Sequence, residues 1–223
     1  MPANKEAYHL IKQELDAKGV TLVAVSKTKS VEEILDLYHL GHKDFGENYV
    51  QEMAEKAARL PNDIRWHFIG HLQTNKVKLI MPFVQLIHGV DSLKLLNEVN
   101  RQAVKANREV DCLLQVHIAK EETKFGLDEK ELAALLNSPI SALKNVNICG
   151  LMGMASFTND METVRKEFRN LKEIFDKTVK LLTPGSGFRT LSMGMSADYK
   201  LAIEEGSNMV RIGSLLFGER KKK

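Results

Sequence analysis

The sequence predicts an α/β fold, a single (β/α)8 barrel of the TIM type occupying residues 1–223. Three observations carry that reading. Eight short, nearly continuous apolar runs alternate with longer amphipathic ones, and strands separated by helices pair in parallel, because parallel neighbours need crossover connections. No G-x-G-x-x-G follows the first run, so the open doubly wound sheet, the rival for such an alternation, lacks its signature. Finally, 223 residues suit one barrel, and no low-complexity linker or change of composition divides them.

The elements follow in order. A first helix over about residues 4 to 18 precedes the strand "TLVAVS". In "SVEEILDLYHLG", Ser30 is placed to cap a helix, Glu33 stands three residues later as in a capping box, and Gly41 stops it. "HKDFGEN" supplies a short second strand, and "YVQEMAEKAARL" a helix that ends before Pro61. "IRWHFIG" is the third strand, with a helix through "TNKVKLIM"; "VQLIHGV" is the fourth, with the helix "SLKLLNEVNRQAVKANR". The second half repeats the rhythm. "VDCLLQVHI" and "DEKELAALLN" form the fifth pair, and "VNICGLMGM" and a long helix over about residues 160 to 182 the sixth. "TLSMGM" and "SADYKLAIEEG" form the seventh, and "MVRIGSLLFG" closes the series as the eighth strand.

Composition narrows the function. Hydrophobic residues at 43% and charged residues at 27% are ordinary for a globular protein, and a net charge of +3 is too small to argue for nucleic acid. Lys221, Lys222 and Lys223 read as a solvated tail. Cys112 and Cys149 both lie in apolar strand-like runs, so buried thiols are expected rather than a disulfide, which fits a reducing cytoplasm. "MPANKEAYHL" lacks the apolar core of a signal peptide, and no run approaches membrane-spanning length. A cytoplasmic protein with no membrane partner is the expectation.

In barrels of this kind functional groups gather at the C-terminal ends of the strands. Lys27 ends the first strand and shares the alternation of Val23 and Val25. If those face the interior, Lys27 points into the mouth. Two readings stand side by side: a lysine that snorkels to solvent or pairs with a carboxylate such as Glu47, and a Schiff-base lysine with an activated amine. At the distal end, "SMGMSADYK" and "RIGSLLFG" offer Gly194, Ser196, Gly213 and Ser214. These bring small side chains, hydroxyls and accessible N–H groups, with a helix starting near Ser196 or Ala197. The same residues would also suit tight turns, but phosphate sites in this fold recur in the loops after strands seven and eight. A lysine on strand one, a phosphate cradle on strands seven and eight, and Arg211 between them suggest a phosphorylated aldehyde. Pyridoxal 5′-phosphate supplies an aldehyde for Lys27, a phosphate for the cradle and a ring nitrogen for Arg211.

The stretches "AVSKTK", "FGENYVQE", "WHFIGHLQTNK", "GLMGM", "SMGMSADY" and "VRIGSLLFGER" resemble the pyridoxal phosphate homeostasis family, also called the proline synthetase co-transcribed or alanine-racemase-like barrel family. They span nearly the whole chain. The resemblance implies a fold-type III barrel without the C-terminal β-domain, carrying pyridoxal phosphate on Lys27 as an aldimine. It implies a buffer or carrier in vitamin B6 homeostasis, with apo-enzymes that accept the cofactor as partners. It also implies that Ser192, Ser196, Gly213 and Ser214 surround the phosphate, that Arg211 faces the pyridine nitrogen, and that Asn48 lies near the ring.

The alternative is a pyridoxal phosphate-dependent racemase-like enzyme. Arginine keeps its proton, so it donates to an unprotonated ring and weakens the electron sink without abolishing racemisation. Racemisation, however, needs acid/base groups on both faces of a carbanion. Lys27 could serve one face; in alanine racemases the other is a tyrosine of the added domain, for which a chain ending at Lys223 has no room. Tyr49 remains as a substitute from the barrel. A third reading, a lysine-imine lyase acting on a phosphosugar, explains "WHFIGHLQTNK" less well. A carrier that is a monomer is the expectation. The remaining features read blandly. His67 and His71 lack the glutamate of H-E-x-x-H and read as strand-to-loop structure. Lys29 and Lys124 read as solvated charge with secondary aldehyde capture as the sharper option. Met152, Met154, Met193 and Met195 read as barrel packing, with one of them touching the cofactor.

Overall fold

A computed structural model describes residues 2–121, 125–183 and 185–219. Lys124 and the terminal Lys221 to Lys223 lie outside them. The eight strands are β1 (Thr21–Val25), β2 (Asp44–Glu47), β3 (Arg65–Phe68), β4 (Val84–Val90), β5 (Val110–Gln115), β6 (Val146–Met152), β7 (Thr190–Met195) and β8 (Met209–Ile212). All pair in parallel with their sequence neighbours, and β8 closes on β1 with Val23 opposite Arg211. The helices are α1 (Lys5–Ala17), α2 (Val31–Tyr38), α3 (Val50–Ala57), α4 (Val77–Ile80), α5 (Leu93–Ala106), α6 (Glu129–Leu136), α7 (Met161–Leu181), α8 (Tyr199–Glu204) and α9 (Ser214–Phe217).

Local chemistry accounts for the boundaries. Ser30 and Glu33 form the expected capping box on α2, and Asp128 and Glu131 form a second one on α6. Asp160 caps the 21-residue α7 through the N–H groups of Glu162 and Thr163. Three segments depart from the sequence reading. The helix after β3 is only a 3-10 turn (Thr74–Lys76) followed by the single turn α4; Pro82 lies two residues on and has no backbone N–H to continue the helical ladder. The helix after β7 begins at Tyr199, not at Ser196 or Ala197. The preceding residues are taken by a turn in which Asp198 Oδ1 accepts from the Met195 N–H at 2.6 Å. The eighth run divides: β8 stops at Ile212 and "SLLF" forms α9. A short apolar run does not distinguish strand from helix by periodicity. Here Leu216 and Phe217 bury themselves beneath α1, where the Asn4 N–H donates to the Leu216 carbonyl.

The strands divide their side chains between two layers. Leu22 and Ala24 join the large cluster between sheet and helices, whereas Val23 joins Leu86, Leu113, Met152 and Met209 in a separate cluster inside the barrel. Each such side chain contributes roughly 1.5–3 kcal/mol when fully buried. The interior is therefore stoppered by apolar packing at its waist, and the residues one period further along each strand stand above that plug. Both cysteines are free thiols; burial drives Cys112 upward and pushes Cys149 up to about 12, so neither is a reactive thiolate.

Candidate functional site

Above the plug, at the C-terminal ends of the strands, is a cavity of about 490 Å³ whose lining includes Val25, Lys27, Asn48, Arg211, Gly213 and Ser214. The parity argument holds: Val23 is in the interior cluster and Val25 and Lys27 line the cavity. Lys27 sits in a tight turn fixed on both sides. The Ser26 hydroxyl donates to Glu47 Oε1 at 2.6 Å, and the Thr28 N–H donates to Glu52 Oε1 at 2.5 Å. Thr28 adopts φ +65°, a left-handed conformation uncommon for a β-branched residue and maintained only where its surroundings over-determine it. Lys56 provides that determination. Its ammonium, buried at 6% exposure, donates at 2.7 Å to each of the Ser26 carbonyl, Glu47 Oε1 and Glu52 Oε1. Glu47, expected as a partner for Lys27, is thus bound by Lys56 and Ser26. Its burial raises its carboxyl above the usual range, and Lys56 and Ser26 oppose the shift.

On the opposite wall, Ser196 and Gly213 are joined by a 3.2 Å hydrogen bond from the Gly213 N–H to the Ser196 hydroxyl. The loops after β7 and β8 thereby make one surface, with Ser196, Ala197, Asp198, Gly213 and Ser214 all in the lining. The first N–H groups of α9 have no acceptor within the helix by geometry. Arg211 lies between these loops and the lysine turn at 3% exposure. It donates to the Ser192 carbonyl at 2.9 Å, to the Ser192 hydroxyl at 2.6 Å and to the Gly153 carbonyl at 3.0 Å. Burial draws it down to about 10, so it is still a cation at neutral pH.

Of the eight residues expected to hold the cofactor, six line this cavity: Lys27, Asn48, Ser196, Arg211, Gly213 and Ser214. Ser192 and Gly194 do not. Ser192 is fully buried, its hydroxyl shared between Arg211 and His88, so it supports Arg211 from behind. Gly194 has φ +93°, and a Cβ there would stand 2.5 Å from the Ala202 Cβ; its service is to let α8 pack closely. Asn48 presents a buried side-chain oxygen, Oδ1, with no hydrogen-bond partner among the described residues. Met154 and Met195 line the cavity, and Met152 and Met193 are buried as packing. Lys29 also lines it while donating to the Phe217 carbonyl at 2.7 Å. Tyr49 is 55% exposed and outside the lining. His71 stacks on Phe125 and approaches Asp91 at 3.3 Å. Sequence reasoning missed Lys56, His88, Ile69 and Phe157. Lys56 had a signal, since Val50 and Met53 mark the buried face of α3 and Lys56 is three residues further on; Phe157 had none.

The donor set suits an anionic aromatic aldehyde: an amine, a buried guanidinium, two hydroxyls with helix-end N–H groups, and an orphaned amide oxygen beside apolar walls from Val25, Ile69 and Met154. Comparisons with known proteins agree. The family model described as alanine racemase, N-terminal domain, matches residues 3–221. A curated pyridoxal phosphate homeostasis protein of Aquifex aeolicus is 44% identical over 90% of this chain and 87% of its own length. This chain belongs to the pyridoxal phosphate homeostasis protein family. The human homeostasis protein is 38% identical over 93% of this chain and 79% of its own length. The solved structure of the homeostasis-family protein PipY of Synechococcus elongatus, with pyridoxal phosphate bound, superposes with a TM-score of 0.87 at 34% identity, covering 96% of this chain and 99% of that one. An alanine racemase of Bartonella henselae shares the barrel, with a TM-score of 0.69 at 16% identity; the match covers 99% of this chain and 62% of that one.

Proposed function

We propose that this homeostasis-family chain binds pyridoxal 5′-phosphate and acts in vitamin B6 homeostasis as a buffer or carrier. The observation that supports it best is the convergence of Lys27, Arg211 and the Ser196–Gly213–Ser214 surface on one cavity. When bound, the cofactor would supply an aldehyde open to capture by an amine. Lys27 is the amine in this reading. Ser196, Gly213 and Ser214 would hold the phosphate, Arg211 would serve the ring nitrogen, and Asn48 Oδ1 would be an acceptor near the ring. Ser192 and Gly194 act behind that surface, through Arg211 and α8. The partners are apo-enzymes that accept the cofactor, and the carrier is a cytoplasmic monomer.

The test is direct. Wild-type protein mixed with pyridoxal phosphate develops a near-ultraviolet to violet band, and borohydride reduction followed by peptide mass spectrometry places the label on Lys27. Lys27→Ala removes both while unfolding like the wild type. A full band in that variant, fixed by borohydride to another lysine, overturns the assignment. Rapid Lys27-dependent deuterium exchange at the α-carbon of any amino acid overturns the carrier reading in favour of an enzyme.

A further inference from the structure

Five side chains form a hydrogen-bonded series across the barrel interior. Arg211 Nη1 donates to Ser192 Oγ at 2.6 Å, Ser192 Oγ is 3.2 Å from His88 Nδ1, and His88 Nε2 is 3.1 Å from His67 Nδ1. His67 Nε2 is in turn 3.1 Å from Asp44 Oδ1. The series starts at the foot of β2, passes through β3 and β4, crosses to β7 and ends on β8 at the cavity floor. Ser192, His67, His88 and Arg211 are all at most 3% exposed. Buried polar groups need partners, and a half-satisfied network is costly.

With both rings neutral, elementary valence orders the proton positions. Arg65 donates Nε–H to Asp44 Oδ1 at 2.6 Å and makes a second bond from Nη2 to Oδ2. That guanidinium beside it holds the Asp44 carboxyl far below the usual range, so Asp44 is an acceptor and His67 Nε2 carries a hydrogen. A neutral His67 then has a bare Nδ1, which must accept from His88 Nε2–H. A neutral His88 has a bare Nδ1 in turn, which accepts from the Ser192 hydroxyl, and that hydroxyl accepts from Arg211. Every donor points from Arg211 toward Asp44. The charged and titratable groups around the series are Asp44, Arg65 and His42 at its foot, and Arg211 with Asp198 at its head. Full burial, with the Arg211 cation beside it, holds His88 well below its ordinary value, consistent with a neutral ring.

We propose that His88, oriented by His67 and Asp44, is a positioning residue that fixes the Ser192 hydroxyl and through it the Arg211 guanidinium in the cavity, with both histidines held as neutral Nε2–H tautomers. This rests on the functional reading above only in what Arg211 meets; the tautomers belong to the protein alone. With His67 replaced by phenylalanine, His88 Nε2–H loses its acceptor, the alternative Nδ1–H tautomer becomes competitive, and the Ser192 oxygen faces donors from both sides. Glutamine at position 67 can accept from His88 with its carbonyl and donate to Asp44 with its amide, restoring the direction.

Two measurements decide it. Nitrogen-15 NMR of histidine-labelled protein without ligand, with signals assigned through His67→Gln and His88→Gln, should show both rings as Nε2–H tautomers and His88 not titrating between about pH 5.5 and 8. A His88 that carries hydrogen on Nδ1, or charges in that range, overturns the proposal. With pyridoxal phosphate as the probe, His67→Phe should weaken retention by about ten-fold and displace the pH midpoint of the absorbance band. His67→Gln should restore most of both. Equal retention and equal midpoint in wild type and His67→Phe overturn the link to Arg211. A wild type that takes up no cofactor overturns the functional reading instead, and the tautomer spectra still decide the orientation of the series.

Discussion

Lys56 and Glu47 form an ion pair, Nζ to Oε1 2.7 Å, buried beneath the turn that carries Lys27. Removing one member of such a pair leaves the other charged and without compensation. Lys56→Met should therefore lower the unfolding free energy by about 3–5 kcal/mol in urea denaturation. The double variant Glu47→Gln, Lys56→Met should recover more than half of that, since glutamine still accepts from Ser26. A single variant within about 1 kcal/mol of wild type would show that the pair does not hold the turn.

A second prediction concerns acid. His42, 2% exposed, has its Nε2 2.8 Å from the Asp44 carbonyl and is lowered to about 4, chiefly by burial. Above pH 6.5 the ring is neutral folded and unfolded, so it costs nothing. Between pH 6.5 and 4 the unfolded chain takes up a proton that the folded chain refuses, and stability falls as pH falls, by up to about 3 kcal/mol. Unfolding free energies measured from pH 7 to 4 should show this slope, and His42→Gln should flatten it in part, His88 contributing in the same direction. An unchanged slope in the variant would remove His42 from the account.

Gly194→Ala should be costly for two reasons already visible in the backbone. The residue has φ +93°, and the new Cβ would stand 2.5 Å from the Ala202 Cβ and 3.0 Å from the Tyr199 Cα. A loss of about 1–3 kcal/mol is expected, with α8 displaced from the proposed phosphate surface. Thermal unfolding measures the first, and weaker retention of pyridoxal phosphate the second.

Ser196→Ala removes both a hydroxyl from the proposed phosphate surface and the acceptor for the Gly213 N–H. Retention of pyridoxal phosphate should weaken by about ten-fold or somewhat more. The discriminating ligand is pyridoxal without its phosphate. Wild type should hold it far less tightly than the phosphorylated form, and the variant should show a smaller gap. Equal binding of both ligands by the wild type would mean that no phosphate site exists on these loops.

What could be read from the sequence was whatever is encoded by near neighbours along the chain. The alternation of apolar runs gave the strand order, Ser30 and Glu33 announced a helix start, and the parity of Val23, Val25 and Lys27 aimed the lysine. Ser192 shows the limit. The family resemblance implied a phosphate ligand there, yet strand parity sends it into the interior, where Arg211 and His88 occupy it. His67 and His88 are 21 residues apart and meet only because β3 and β4 are adjacent with an irregular register. Such a contact has no periodicity to betray it. "GSLLFG" failed for another reason: its three apolar residues are compatible with either element until α1 is in place to cover them.

The three hydrogen bonds of Arg211 among the described residues all end on uncharged oxygens, while the Asp198 carboxylate opposes the effect of burial on its charge. The carboxylate at the far end of the histidine series is already matched by Arg65. The head of the barrel thus holds a desolvated positive charge whose natural complement is a soluble anion. Such a ligand is electrostatically part of the fold: at a hundred times its dissociation constant it adds about 2.7 kcal/mol to the stability of the whole chain. Cellular supply of the anion would then govern how much of the protein survives as well as how much of it is loaded, making abundance itself a gauge of the ligand.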